Sequence, residues 1–436
     1  MKDSGIKWIG EIPEGWGVTK LKYVFKKNCT NLRVGPFGSA LSGNDIKEEG
    51  NWIYNQRCVL DNNFSTNDSF IDDKKFNQLK AFAVNPGDIL ITTRGSIGKV
   101  AIVPDDAPKG ILHPCIIKFV IDDNILNKKI LKYLFNNTNV IQEQIKQKSN
   151  STTIDVIYSY NLKEIVLPLP PLAEQQKIAD FLDGKCSKID ALKKDIQSQL
   201  EILEQYKKSV ITEAVTKGIA RGVKMKDSGI EWIGKIPEHW KIQKGKYIFT
   251  QRSEKGNSIE LQLLSPTQKY GVIPQSLYDE ISGMNSVKLK ENTDFNLLKT
   301  CHKGDYCISL RSFQGGFEYS KYEGVVSPAY QIFYPVIDIA DGYFKYLFKD
   351  KNFIEKINSF TLSLRDGKPI SYFDFSNMYL PLPPLAEQQQ IADFLDAKCS
   401  SIDSIITAKK QQLAKLEDYK KSLIYEYVTG KKQVSL

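Results

Sequence analysis

Leu167-Pro168-Leu169-Pro170-Pro171-Leu172-Ala173-Glu174-Gln175-Gln176, with the residues after it as far as Asp190, returns as Leu380 through Asp403, displaced by 213 residues. Outward from this string lies a second pair: Met1 through Trp16 returns as Met225 through Trp240, displaced by 224 and changed only at Lys7/Glu231, Glu11/Lys235 and Gly15/His239. The displacements differ by eleven, so the chain is one module written twice, with constant ends and a middle of variable length. A repeat of this size decides architecture ahead of any local motif.

Downstream of each proline string the composition turns strongly helical, and Pro171 and Pro384 stand where a helix tolerates proline, at its start. Leu182, Ile189, Ile196, Leu203 and Val210 then recur by sevens, with Ile178, Leu192, Leu200 and Ala214 beside them. The second copy reads Leu395, Ile402, Leu416 and Leu423, with Ile391, Ile405, Leu413 and Tyr419 alongside and Lys409 interrupting where the first copy has Ile196. This spacing predicts a coiled-coil seam. A helix over residues 172–217 would be roughly 69 Å long at about 1.5 Å per residue, more than one small domain buries. Two matching seams in one chain favour an intramolecular antiparallel pair; a coiled-coil homodimer is the alternative.

The middles, residues 17–166 and 241–379, carry short β-branched and aromatic runs broken by Gly, Asn, Asp and Pro. They read as mixed domains related to each other: Gly87-Asp88 with Arg94 and Gly98 matches Gly304-Asp305 with Arg311 and Gly315, and Leu131 to Phe135 matches Phe344 to Phe348. The expected fold is α+β, with globular domains over 1–166 and 225–379 and long helical segments over 167–224 and 380–436.

At 436 residues there is room for two or three cores, and the repeat favours two. Hydrophobic content of 41% and charged content of 25% are ordinary for a soluble protein, and no apolar run approaches a membrane span or a signal core. A cytoplasmic location is expected. The seven cysteines show no Cys-x-x-Cys spacing and read as reduced thiols, Cys186 and Cys399 as buried small residues on the helices. Cys301-His302 with Cys307 lacks the four-ligand set of a zinc site. A net charge of +9 permits, without demanding, a polyanionic partner.

Catalytic signatures are missing. Gly95-Ser96-Ile97-Gly98-Lys99-Val100 resembles the end of a phosphate loop, yet Thr93 replaces the first glycine and Val100 the final Ser/Thr. Pro104-Asp105 is not followed by Glu-x-Lys, no Asn-Pro-Pro-aromatic tetrapeptide occurs, and three histidines suggest no constellation. Binding is better served. Ile89-Leu90-Ile91 and Val100 to Val103 flank a polar turn that presents Arg94, Ser96 and Lys99, with Gly95 allowing close backbone approach; guanidinium and ammonium groups suit guanine edges and phosphates. The second copy offers Arg311, Ser312 and Gln314 at the same place. Further candidates are Asn55, Gln56 and Arg57, then Gln268 and Tyr270, then Arg365 and Lys368 in a basic turn. The plainer reading of each is a solvated loop; recurrence of Arg94 as Arg311 weighs against it.

The doubled pattern Trp-Ile-Gly-x-Ile-Pro-x-x-Trp, variable domain, Leu-Pro-Leu-Pro-Pro-Leu-Ala-Glu-Gln-Gln and long helix resembles the specificity subunit of type I restriction-modification systems across essentially the whole chain. Val34 to Ser39 and Gly87 to Ile91 with Arg94 to Gly98 are similar to that family's target-recognition domains. The resemblance implies a non-catalytic subunit whose two domains each read one half of a bipartite asymmetric site in double-stranded DNA. It implies that the paired helices fix the spacer and dock two adenine methyltransferase subunits, and through them two restriction subunits. S-adenosylmethionine, ATP and magnesium would belong to those partners; this chain would hold no cofactor and no metal. A fused restriction-methylation enzyme would instead need the missing catalytic motifs, and a coiled-coil scaffold would show no sequence-dependent DNA binding.

Overall fold

The computed structural model describes residues 1–27, 30–148, 157–256, 261–283, 295–309, 316–360 and 370–434. Each proline string folds as its sequence suggests. The prolines have no N–H to lose at a first helical turn, and the carbonyls of Pro171 and Pro384 accept bonds from Glu174, Gln175, Glu387 and Gln388. Continuous helices follow, Leu172–Lys217 and Leu385–Val428. They end at Gly218 (φ 76°) and Gly430 (φ 74°), left-handed positions that suit glycine.

The chain forms two compact units, one of residues 1–195 with 411–436 and one of residues 196–410. In the first, strand Gly17–Lys20 runs antiparallel to Val166–Leu169, joining the two constant strings of one module. Trp16 is buried and donates its indole N–H to Glu174 at 3.0 Å. A four-stranded sheet is ordered Leu32–Val34, Ile116–Phe119, Ile89–Thr92, Val100–Ile102, all antiparallel. A second sheet centres on Asn51–Tyr54 and the parallel strand Gly110–Leu112. The main core joins Ile9, Ile12 and Trp16 to Ile178 and Leu182, and also to Leu423, Ile424 and Val428 of the other long helix. Lys431 donates to the Glu11 carbonyl at 2.5 Å. A Cβ on Gly430 would stand 2.4 Å from Pro13, so the first constant string closes on the end of the second helix.

The second unit repeats this plan. Lys241–Lys244 pairs with Tyr379–Leu382, and the four-stranded sheet runs Phe249–Arg252, Gln331–Pro335, Tyr306–Ile308, Phe317–Tyr319 in the same order. Its core is aromatic: Phe249 meets Tyr306, Phe333, Phe348 and Phe375, Tyr306 meets Phe348, and Phe333 meets Phe375. Trp232, Ile236 and Trp240 pack with Ile211, Ala214 and Val215 at the end of the first helix.

Within each unit the two helical halves lie antiparallel, as expected. In the first, Phe181 meets Tyr427, Asp190 pairs with Lys420 and Lys193 with Glu417. In the second, Gln199 accepts from Lys409, and Lys207 pairs with Asp403 at 2.6 Å. The stripe by sevens is only part of the packing. Leu182, Ile189, Ile196, Leu395, Ile402 and Leu423 are buried, whereas Leu203, Val210 and Leu416 are half-buried and Leu192, Ile405 and Tyr419 are exposed. Straight helices drift about 20° per heptad from a strict seven-residue repeat. Where they also face a globular module, Cys186, Cys399, Ile211 and Ile424 are buried as well. All six described cysteines are free thiols, and no helix among the described residues is long and apolar enough to cross a membrane.

Candidate nucleic-acid interface

The two strands flanking the first candidate turn form the expected hairpin, with Ile91 opposite Val100. Thr92 ties the turn together, its hydroxyl donating to the Ser96 carbonyl at 2.5 Å and accepting from Lys99 N–H at 3.0 Å. Gly95 and Gly98 sit at φ 64° and 76°, which lets the chain reverse. Arg94, Gly95 and Ser96 are thereby exposed at the tip. No hydrogen bond or ion pair engages the Arg94 guanidinium among the described residues.

Three candidates turn out to support this tip. The Gln56 side chain donates to the Arg94 carbonyl at 2.5 Å, pinning the turn. Asn55 caps the short helix Gln56–Leu60 by accepting from Cys58 N–H and donates to Asp68. Lys99 points inward, its ammonium donating to the Asn136 carbonyl at 2.8 Å; burial and the Lys421 charge lower its pKa. Arg57 stays exposed, with Asp61 at 3.4 Å. Arg94, Ser96 and Arg57 are therefore the groups on offer at this edge. His113 stands nearby, held below the ordinary imidazole pKa by burial and by the Arg94 charge.

In the second unit the equivalent turn, with Arg311, Ser312 and Gln314, lies outside the described residues, as do Arg365 and Lys368. Its flanking strands, Tyr306–Ile308 and Phe317–Tyr319, form the same hairpin. Gln268, Lys269 and Tyr270 make an exposed turn between Leu264–Thr267 and Gly271–Pro274. The turn opens on a cleft of about 420 Å³ with Lys207, Lys321, Lys345 and Lys349 in its walls. Lys207 and Lys349 are paired there with Asp403 and Glu318, which tempers the positive charge.

Sequence reasoning missed what the repeated polar residues do. Asp88 of the first Gly-Asp pair is buried and meets Lys118 at 2.7 Å; Asp305 of the second is buried and holds Arg252 through two bonds of 2.8 and 2.9 Å. These carboxylates pin the base of each hairpin. Gln175 and Gln388, also buried, accept from the backbone N–H of Asn127 and Ala340 and donate to Pro170 and Pro383. Tyr133 and Tyr346 donate to Asp183 and Asp396. The available signal was their recurrence at matching displacements. His302 has both ring nitrogens occupied, by Glu323 at 2.8 Å and Glu254 at 3.1 Å. Burial opposes its charged form, but those carboxylates outweigh it and raise its pKa. Among the described residues no group of three or more His, Cys, Asp or Glu is placed to hold a metal.

A doubled frame carrying exposed polar turns defines a protein of two alike modules. The type I restriction-modification DNA specificity domain matches twice, over residues 13–202 and 234–417, and the chain belongs to that family. It is similar to the chain designated the MjaX specificity subunit of a type I restriction enzyme from Methanocaldococcus jannaschii, 28% identical over 92% of this chain and 90% of that one. The EcoKI specificity subunit of Escherichia coli is 24% identical over 47% of this chain and 44% of its own. Two solved structures share the fold at 15% identity. The HsdS subunit from Thermoanaerobacter tengcongensis has a TM-score of 0.54 over 97% of this chain and 98% of its own. A chain solved in work on complex assembly and conformational transition of the type I system has a TM-score of 0.67 over 96% and 98%. The protein is thus a DNA specificity subunit of a type I restriction-modification system, a non-catalytic family.

Proposed function

We propose that each module reads one half of a bipartite, asymmetric site in double-stranded DNA, in the cytoplasm, while the paired helices set the spacer and dock two adenine methyltransferase subunits. Two restriction subunits join through that core, and S-adenosylmethionine, ATP and magnesium are held by the partners. The observation that carries the reading is one frame built twice: sheets of the same order, the same tyrosine-to-aspartate clamp onto a long helix, and polar turns at the rim. Arg94, Ser96 and Arg57 read the first half-site or its phosphates; Gln268 and Tyr270, with Arg311, Ser312, Gln314, Arg365 and Lys368, serve the second. Asn55, Gln56 and Lys99 hold the first turn in place.

Leu182, Ile189, Ile196, Leu395, Ile402 and Leu423 face inward and Leu203, Val210 and Leu416 are half-covered, so docking falls mainly to what the helices leave outside. The first unit exposes Leu192 and Tyr419, and the second exposes Ile405 and Tyr206. Leu192 and Ile405 are equivalent in the repeat, as are Tyr206 and Tyr419, which suits two copies of one partner.

Inserting seven residues in register into the middle of both long helices tests the ruler. The helices grow by about 10 Å, or about three base pairs at 3.4 Å each. Sequencing of methylated sites made with the cognate methyltransferase should show a spacer lengthened by that amount with both halves kept. An unchanged spacer removes the ruler role.

A further inference from the structure

Among the exposed aromatic rings that the reading above leaves without a task, two in each module stand at matching positions of the repeat. In the first unit Tyr23 is 63% exposed and Tyr160 65%; in the second Tyr247 is 56% exposed and Phe373 74%. Tyr23 and Tyr247 are displaced by 224, as the first constant string is, and Tyr160 and Phe373 by 213, as the second is. Their surroundings repeat too: Lys20-Leu21-Lys22-Tyr23-Val24-Phe25 becomes Lys244-Gly245-Lys246-Tyr247-Ile248-Phe249.

The geometry beneath the rings is equally alike. The 3-10 turn Leu21–Val24 packs against the helix Ser159–Lys163, and Gly245–Tyr247 against Tyr372–Asn377. Leu21 N–H donates to the Ile165 carbonyl at 2.7 Å, and Gly245 N–H to the equivalent Met378 carbonyl at 2.8 Å. Lys22 stands 5.2 Å from the Tyr23 ring centre and Lys246 stands 5.3 Å from that of Tyr247. In the first module Glu164 pairs with Lys20 and Lys22; its counterpart in the second is Asn377.

Exposed aromatic rings set rigidly on a backbone are characteristic of protein interfaces, where Tyr and Phe are enriched and supply much of the affinity. The exchange of Tyr160 for Phe373 leaves the ring, and not a hydroxyl for phosphate, as what the two positions share, and duplex DNA keeps its base faces stacked away from such a ring. The rings lie within the middles but keep the displacements of the constant strings and occur once per module, so they suit a partner that meets both modules through the same surface.

We propose that Tyr23 with Tyr160, and Tyr247 with Phe373, are two equivalent footholds for the methyltransferase subunit, one copy per module. The matching surface is apolar, with a carboxylate placed to meet Lys246 in the second module, where Asn377 replaces Glu164. This rests on the reading that two methyltransferase copies bind the chain, and adds a second contact to the one on the helices.

The test titrates the cognate methyltransferase, without restriction subunit, into the full-length chain and counts bound copies by native mass spectrometry. Two copies on the wild-type chain uphold the underlying reading; none would overturn both. Tyr23→Ser with Tyr160→Ser should weaken one of the two sites by about thirtyfold, the effect of losing an interface hot spot. Tyr247→Ser with Phe373→Ser should weaken the other, and the fourfold variant both, with unfolding temperature and duplex affinity of the chain alone unchanged. Two copies bound at wild-type affinity by the fourfold variant would overturn the proposal. Loss of duplex binding with methyltransferase affinity intact would also overturn it, and would assign the rings to DNA.

Discussion

Tyr133 donates its phenolic hydrogen to Asp183 at 2.6 Å, fastening the first globular module to the first long helix; Tyr346 repeats the bond with Asp396 at 2.6 Å. Lys129 joins Asp183 at 2.6 Å and Lys345 joins Asp396 at 3.0 Å, from different positions in the repeat. The clamp survives while its lysine moves, which marks the tyrosine as the fixed partner. Tyr133→Phe and Tyr346→Phe should each lower the free energy of unfolding by about 1 kcal/mol in urea titration, since the aspartates are partly solvated. Equal losses are expected from the two, and a neutral result for both would deny the clamp a stabilising role.

The buried pair Lys118–Asp88 contributes differently. Lys118 also donates to the Ala83 carbonyl and Asp88 accepts from Asn85 N–H, so removing the carboxylate strands an enclosed ammonium. Asp88→Ala should cost about 3 kcal/mol or more. Asp88→Leu combined with Lys118→Met should recover most of that in the same denaturation assay.

Arg94→Ala should weaken duplex binding by about 1–3 kcal/mol if the guanidinium reads a base edge, with relaxed preference confined to one half of the site. Lys99→Ala should change duplex affinity little and lower the melting temperature instead, because its ammonium serves the Asn136 carbonyl. Electrophoretic mobility shifts at fixed salt separate the two. A larger affinity loss at Lys99 than at Arg94 would reverse their roles.

The two histidines should respond oppositely to pH. His302 has a raised pKa in the folded chain, so its stabilising contribution is full below about 6.5, the unfolded value, and fades as pH rises through the folded one. His302→Asn should therefore cost more at pH 6 than at pH 8.5. His113 has a lowered pKa and is held neutral, so stability falls as pH drops below about 6.5. Melting temperatures of His113→Asn across that range should show a flatter acid limb than wild type.

Much of this was legible in the chain because duplication writes the frame twice. Leu167 to Gln176 and Met1 to Trp16 announce the duplicated frame and the paired helices; the strand pairings of Gly17–Lys20 with Val166–Leu169 and of Lys241–Lys244 with Tyr379–Leu382 were not read. The Arg94 turn was legible from its glycines and flanking apolar runs. The direction of each side chain on it was not: Lys99 and Arg94 look alike in sequence, and only the position of Asn136 turns one inward. The burial of Cys186 and Cys399 was legible, but the helical seam was read from the sevens and the positions beside them, and there Leu192 and Ile405 face outward while Ile211 and Ile424 are buried, because each helix also packs on a globular module. The buried role of Asp88 and Asp305 depends on Lys118 and Arg252, which come from non-equivalent strands, so no spacing rule reveals it.

Exchanging residues 17–166 for the corresponding domain of another family member, then sequencing methylated sites made with the cognate methyltransferase, tests the division of labour most directly. The account predicts a new sequence in one half of the target, with the other half and the spacer unchanged. Changes in both halves, or in neither, would contradict it.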